Sequence, residues 1–128
     1  MRWESSVFLL LSLFFSCSYP ENDVGDLQTG AFAYSQYNRS GDLVVRGTIA
    51  FDEADSTITG YWLFENGRSG DLTGTESNGQ IDLNLNPHLV DSNLLLHGTL
   101  SGETFSGEWE MIGFPGVTDR GTFIAIRN

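Results

Sequence analysis

Few side chains in this sequence have the type and spacing to do chemistry, and each stands nearly alone. Cys17 is the only cysteine, so within the chain no disulfide and no thiolate metal cage can form. A single thiol offers modification or a bond to another molecule. His88 follows Pro87 in a turn-rich stretch, and His97 lies on the polar parity of an alternating run. With no cysteine nearby the two make a poor metal site, and both are expected at the surface, with no metal bound. Asp52, Glu53 and Asp55 bring together the hard oxygen ligands that suit calcium. They lack the length and ligand order of a dedicated cage and read as a solvated hairpin turn. Glu76 is the most interesting acid, because it falls where a repeating pattern elsewhere holds an apolar residue. Either it points into a dry interior, where a carboxylate needs a partner or stays protonated, or it already belongs to the turn at Asn78-Gly79. In the first case it is a functional-site candidate. No nucleophile elbow, phosphate loop or zinc spacing accompanies it, and nothing supplies a second catalytic group. The expectation is therefore a non-enzyme without a cofactor.

The elements that must position these residues are strands. From Gly30 onward, short alternating runs are separated by turn clusters, which is the all-β pattern. The clusters are Asn38 to Asp42, Asp52 to Ser56, Asn66 to Gly70, Asn78-Gly79, Pro87 to Ser92, Gly102-Glu103 and Gly113 to Asp119. They delimit eight strands near 30–37, 43–51, 57–65, 71–77, 80–86, 93–101, 104–112 and 121–127. Asn78-Gly79 is a strong two-residue hairpin signal, because both positions of that turn want positive φ. Every connection is short, so sequence neighbours should pair antiparallel as a meander.

Seven of the strands share a glycine two residues before a second marked position: Gly30-x-Phe32, Gly47-x-Ile49, Gly60-x-Trp62, Gly74-x-Glu76, Gly98-x-Leu100, Gly107-x-Trp109 and Gly121-x-Phe123. The same parity holds Val45, Ile58, Leu72, Leu96 and Phe105. Side chains alternate faces along a strand, so these glycines lie on the apolar side. The opposite side carries Arg46, Thr48, Thr57, Thr59, Asp71, Thr73, Thr75, Thr104, Ser106, Glu108 and Glu110. One dry side and no helix to cover it call for closure into an eight-stranded barrel, an interior that is packed or holds one small ligand. Inward glycines let strands coil tightly enough to close. Phe32, Trp62, Phe64, Phe105, Trp109 and Phe123 then point inward, either as core or as the lining of a pocket for a flat apolar ligand. Phe32, Trp62, Glu76, Phe105 and Trp109 form the candidate ligand site. The loop Gly113 to Asp119 reads as the longest turn. Its Phe114, Pro115 and Val117, with Leu89 at the same end of a meander, form the candidate interaction edge.

The N-terminus is read apart from the fold. After Met1-Arg2-Trp3-Glu4, Val7 to Phe15 is apolar except for Ser12. That run is shorter than the roughly 20 residues needed to span a bilayer but suits a secretory h-region. Phe14-Phe15-Ser16-Cys17 resembles the lipobox of bacterial lipoproteins, where the thiol is diacylated and becomes the mature N-terminus. The resemblance implies a signal peptide over 1–16, a lipidated tether over 17–29 and the barrel domain over 30–128. Ser18 resembles the outer-membrane sorting choice, so the implied place is the outer membrane, on its periplasmic or cell-surface side.

The charge balance excludes further classes. The net charge is −11, lysine is absent, and the basic residues after the signal segment are Arg39, Arg46, Arg68, Arg120 and Arg127. Phosphate binding needs clustered Lys/Arg, so nucleic acid is excluded as a partner. Docking on anionic lipid by charge is excluded likewise. In architecture the chain resembles the calycin-type meander barrels, lipocalins and avidins. Leu72 to Ser77 is similar to a strand segment of avidin-like proteins. Gly30-Ala31-Phe32 and Arg127 echo the lipocalin pairing of a first-strand aromatic with a basic residue packed over it from the last strand. The expectation is a membrane-anchored binding module for a small apolar ligand or an envelope protein. The alternative is an inhibitor or structural envelope partner acting through barrel-end loops with no interior ligand.

Overall fold

The alternation and the turn clusters resolve into one closed meander. The computed structural model describes residues 30–90, 92–114 and 116–128. The segments expected to be signal peptide and tether, Cys17 among them, and Pro115 lie outside the described residues. The strands are β1 (Gly30–Asn38), β2 (Leu43–Ala54), β3 (Thr57–Phe64), β4 (Ser69–Ser77), β5 (Gln80–Asn84), β6 (Asn93–Ser101), β7 (Thr104–Gly113) and β8 (Gly116–Arg127). Each pairs antiparallel with its neighbour in sequence, and β8 returns to β1 to close an eight-stranded barrel. Closure leaves no free sheet edge.

Local chemistry sets the ends of the strands. Asp55 and Ser56 have φ of 55° and 67°, and Asn78 and Gly79 have 54° and 86°, as the primed hairpin turns require. The first pair corrects the expected Asp52-to-Ser56 turn, because β2 continues to Ala54 and pairs with β3 down to Ala54–Thr57. The expected long loop Gly113 to Asp119 is also corrected. It is mostly ladder, with Met111 opposite Asp119, Ile112 opposite Val117 and Gly113 opposite Gly116, across a register shift beside Met111. The long connection instead runs from Leu85 to Ser92, since β5 ends at Asn84. There asparagine side chains bind the backbone in place of ladder partners. Asn84 Oδ1 accepts from the Asn86 amide at 2.8 Å, and Asn93 Nδ2 donates to the Asn86 carbonyl at 2.6 Å.

The inward parity is the core. Phe32, Tyr34, Ile49, Phe51, Ile58, Trp62, Phe64, Leu72, Leu96, Phe105, Trp109 and Phe123 are all buried, each contributing about 1.5–3 kcal/mol on removal from water. The glycines of the repeat sit where a neighbouring strand comes too near for a side chain. A Cβ at Gly107 would meet the His97 carbonyl oxygen, and one at Gly60 the Ala50 carbonyl oxygen. A Cβ at Gly98 would stand 2.9 Å from the Phe123 ring. Close coiling and the bulk of the neighbouring rings therefore account for the repeat together.

Candidate functional site

Four of the five candidate ligand-site residues lie within one packed aromatic interior. Phe32 stacks on Phe51 at 5.2 Å, Phe51 meets Phe105 edge-on at 5.9 Å, and Phe105 meets Phe123 at 4.9 Å. Tyr34 continues the contact from Phe123 to Phe64, and Phe64 lies 4.6 Å from Trp62. The chain of rings crosses the barrel from one end to the other, in the offset and edge-on arrangements that aromatic pairs prefer. The indoles are tied to backbone. Trp62 Nε1 donates to the Leu85 carbonyl at 2.6 Å and to the Asp71 carbonyl at 3.1 Å. Trp109 Nε1 donates to the Tyr37 carbonyl at 2.7 Å. Tyr34 donates to Gln36 Oε1 at 2.6 Å, and burial pushes its phenol above the ordinary range. These polar groups are satisfied by the protein itself, as buried groups must be.

Glu76, the fifth, stands on the inward parity at the barrel end that holds the Asp55-Ser56, Asn78-Gly79 and Gly102-Glu103 turns. It is half-buried and also serves the turn, accepting from the Gly79 amide at 2.8 Å. Its neighbour is Glu53, which the extension of β2 carries onto the inward parity while Asp52 faces out. The three clustered carboxylates thus diverge. Desolvation, then the charge of Glu76 and a hydrogen bond shared with it, holds the Glu53 carboxyl above the usual carboxylate range. Arg127 closes the same end, its guanidinium 4.8 Å from the centre of the Phe32 ring, a favourable cation–π geometry. Glu53 was missed in the sequence because it looked like turn, although the parity of Ile49 and Phe51 leads straight to it.

The histidines are on the outside. His97 donates through Nδ1 to Asp82 at 2.8 Å, and its Nε2 lies 3.5 Å from Glu110, which in turn lies 3.6 Å from Arg120. A carboxylate-oriented imidazole is half of a nucleophilic site. Here the second nitrogen meets another carboxylate, not a hydroxyl or thiol. His88 lies 3.5 Å from Asp71, with both side chains well exposed. Among the described residues no group of three or more His, Cys, Asp or Glu is placed to hold a metal ion, and no helix is long and apolar enough to cross a membrane.

The remaining candidates gather at the opposite end, where the β1–β2, β3–β4, β5–β6 and β7–β8 connections lie. Nine large apolar side chains are exposed among the described residues. Six of them, Leu43, Val44, Leu89, Val90, Phe114 and Val117, are at this end. Phe114 is 92% exposed and Val90 fully so. Arg39 and Arg68 stand in the same connections, and Arg39 shares a groove with Val117 and Arg120. The expected pairing of Phe114 and Val117 with Leu89 at one end follows from the meander. Leu43, Val44 and Val90 join them. The chain matches no protein-family model and no curated protein.

Proposed function

We propose that this chain is an exported, lipid-anchored docking module that binds a protein partner with the loop end of its barrel. The observation that carries this reading is the division of its apolar side chains. The interior rings are engaged with one another, whereas Phe114, Val90 and four further apolar side chains stand uncovered at one end. Exposed apolar groups clustered in this way mark interaction sites. Arginine beside aromatic and aliphatic side chains, with lysine absent, is the composition of a protein interface. The lipobox-like Phe14 to Cys17 supports the anchor. β1 begins at Gly30, at the barrel end opposite the loop end. The Arg127–Phe32 contact agrees with the calycin-like resemblance, which bears on fold alone.

A photo-crosslinking amino acid placed at Phe114 or Val90 in the producing cell tests this. One discrete protein adduct at both positions, absent with the same probe at Thr75 on the outer wall, is the expected result. No adduct, or equal adducts at all three positions, would refute it.

A further inference from the structure

The three exposed apolar side chains not at the loop end, Tyr61, Leu63 and Ile126, share one side of the barrel. Cross-strand register places Ile126 beside Ala33, Ala33 beside Thr48 and Thr48 beside Leu63, all facing out on β8, β1, β2 and β3. The next row runs Ala31, Ala50, Tyr61. The opposite wall, on β4 to β7, carries outward Asp71, Asp82, Glu108 and Glu110 instead. The barrel is therefore two-faced around its circumference. Small side chains on β1 and β2 run between larger ones on β8 and β3, which offsets the curvature of the wall.

Two charged side chains stand within the strands at the centre of the apolar wall, while Glu65, just past β3, lies across from the first of them and Arg120 stands at the upper edge on β8. The central two are Arg46 and Asp52, opposite in sign, on the same strand and on the same face. Neither takes part in an ion pair among the described residues. They lie three residues on either side of Ile49, roughly 20 Å apart at about 3.3 Å per residue. A second copy turned about a twofold axis between the walls, level with Ile49 and perpendicular to β2, would set Arg46 of each chain over Asp52 of the other. The twofold parallel to β2 would instead oppose like charges. Asp52 borders a groove lined by Ala31, Ala50, Thr59 and Tyr61, which receives the aliphatic stem of an incoming arginine beside a tyrosine ring.

We infer that the β8–β1–β2–β3 wall is an isologous interface with a second copy of this chain, antiparallel along β2. A twofold contact is self-complementary by construction, and this wall is where chains of net charge −11 can meet with least repulsion. Four strands at about 4.8 Å spacing and some seven residues of height give a footprint at the small end of specific interfaces, so the dimer is weak. The two loop ends lie at opposite poles of the pair, each at the pole where β1 of the other copy begins.

Sedimentation equilibrium of residues 17–128 carrying Cys17→Ser, which removes disulfide pairing, tests the inference. The expected result is a monomer–dimer equilibrium weakened about tenfold or more by Arg46→Asp or by Asp52→Arg, and restored to within about threefold by the two together. Circular dichroism confirms that each variant is folded. A chain that stays monomeric to about 0.5 mM overturns the proposal. So does a dimer that the single charge reversals leave unchanged, or that the double reversal fails to restore.

Discussion

Trp109 and Gly121 occupy one another's space. The indole Nε1 would lie 2.6 Å from a Cβ at position 121, and the same nitrogen donates to the Tyr37 carbonyl at 2.7 Å. The glycine on β8 thus clears the path by which a β7 side chain reaches β1. A ring and a glycine from adjacent strands make one closure device.

Gly121→Ala should therefore press its methyl on the Tyr37 carbonyl oxygen and on the indole, parting the two and costing about 1–3 kcal/mol, as overpacking in a tight core does. Trp109→Phe should cost a similar amount by leaving the Tyr37 carbonyl unpaired. Since both changes break the same contact, the double variant should lose less than the sum. Urea unfolding midpoints measure all three. Strict additivity would show that the two residues act independently.

Trp62 ties the long connection to the core through the Leu85 carbonyl at 2.6 Å. Trp62→Phe should lower the protection of the Leu94 amide region, beside the point where Leu85 N–H donates to the Leu94 carbonyl. Amide hydrogen exchange reads this directly. Uniform loss across all strands would instead indicate global destabilisation.

The Glu53–Glu76 pair makes stability depend on acidity. Glu53 is raised in the folded state by desolvation and by Glu76. Its stabilising contribution is complete below its unfolded pKa, near 4.3, and disappears as pH rises through its raised folded value. Glu53→Gln should hold the stabilising hydrogen bond at every pH and flatten that fall. Thermal midpoints between about pH 4 and 7 measure it. A variant whose midpoint falls as steeply as that of the parent chain would contradict the assignment.

Acylation at Cys17 is tested by labelling with a tagged fatty acid in a bacterial host. Label present in the parent chain and absent from Cys17→Ser is expected. Equal label in both would exclude the anchor.

Much of this fold was legible because two local rules agreed. Period-two alternation marked the strands, and Asn78-Gly79 or Gly102-Glu103 marked the hairpins. The inward set from Phe32 to Phe123 followed from parity alone. The β7–β8 end was misread because Gly113, Gly116 and Asp119 resemble turn chemistry, while a register shift lets the ladder continue past them. Glu53 was lost to the same habit of treating charge as turn. The apolar wall had a signal that one-faced reasoning passes over. Ala31 to Tyr34, Tyr61 to Phe64 and Phe123 to Ile126 are apolar on both parities, as strands covered on two sides are. The partners of the Trp62 and Trp109 indoles depend on where distant backbone passes, which no local pattern encodes.

The central claim is that the chain works from its outer surface at the loop end, with a filled interior. Native mass spectrometry of the mature chain, released gently from the envelope of its producing organism, tests this most directly. The account predicts a protein–protein complex that disappears in a folded Phe114→Asp, Val90→Asp variant, with no small apolar adduct on the barrel. A small-molecule adduct that persists in that variant, with no protein complex in either chain, would contradict it.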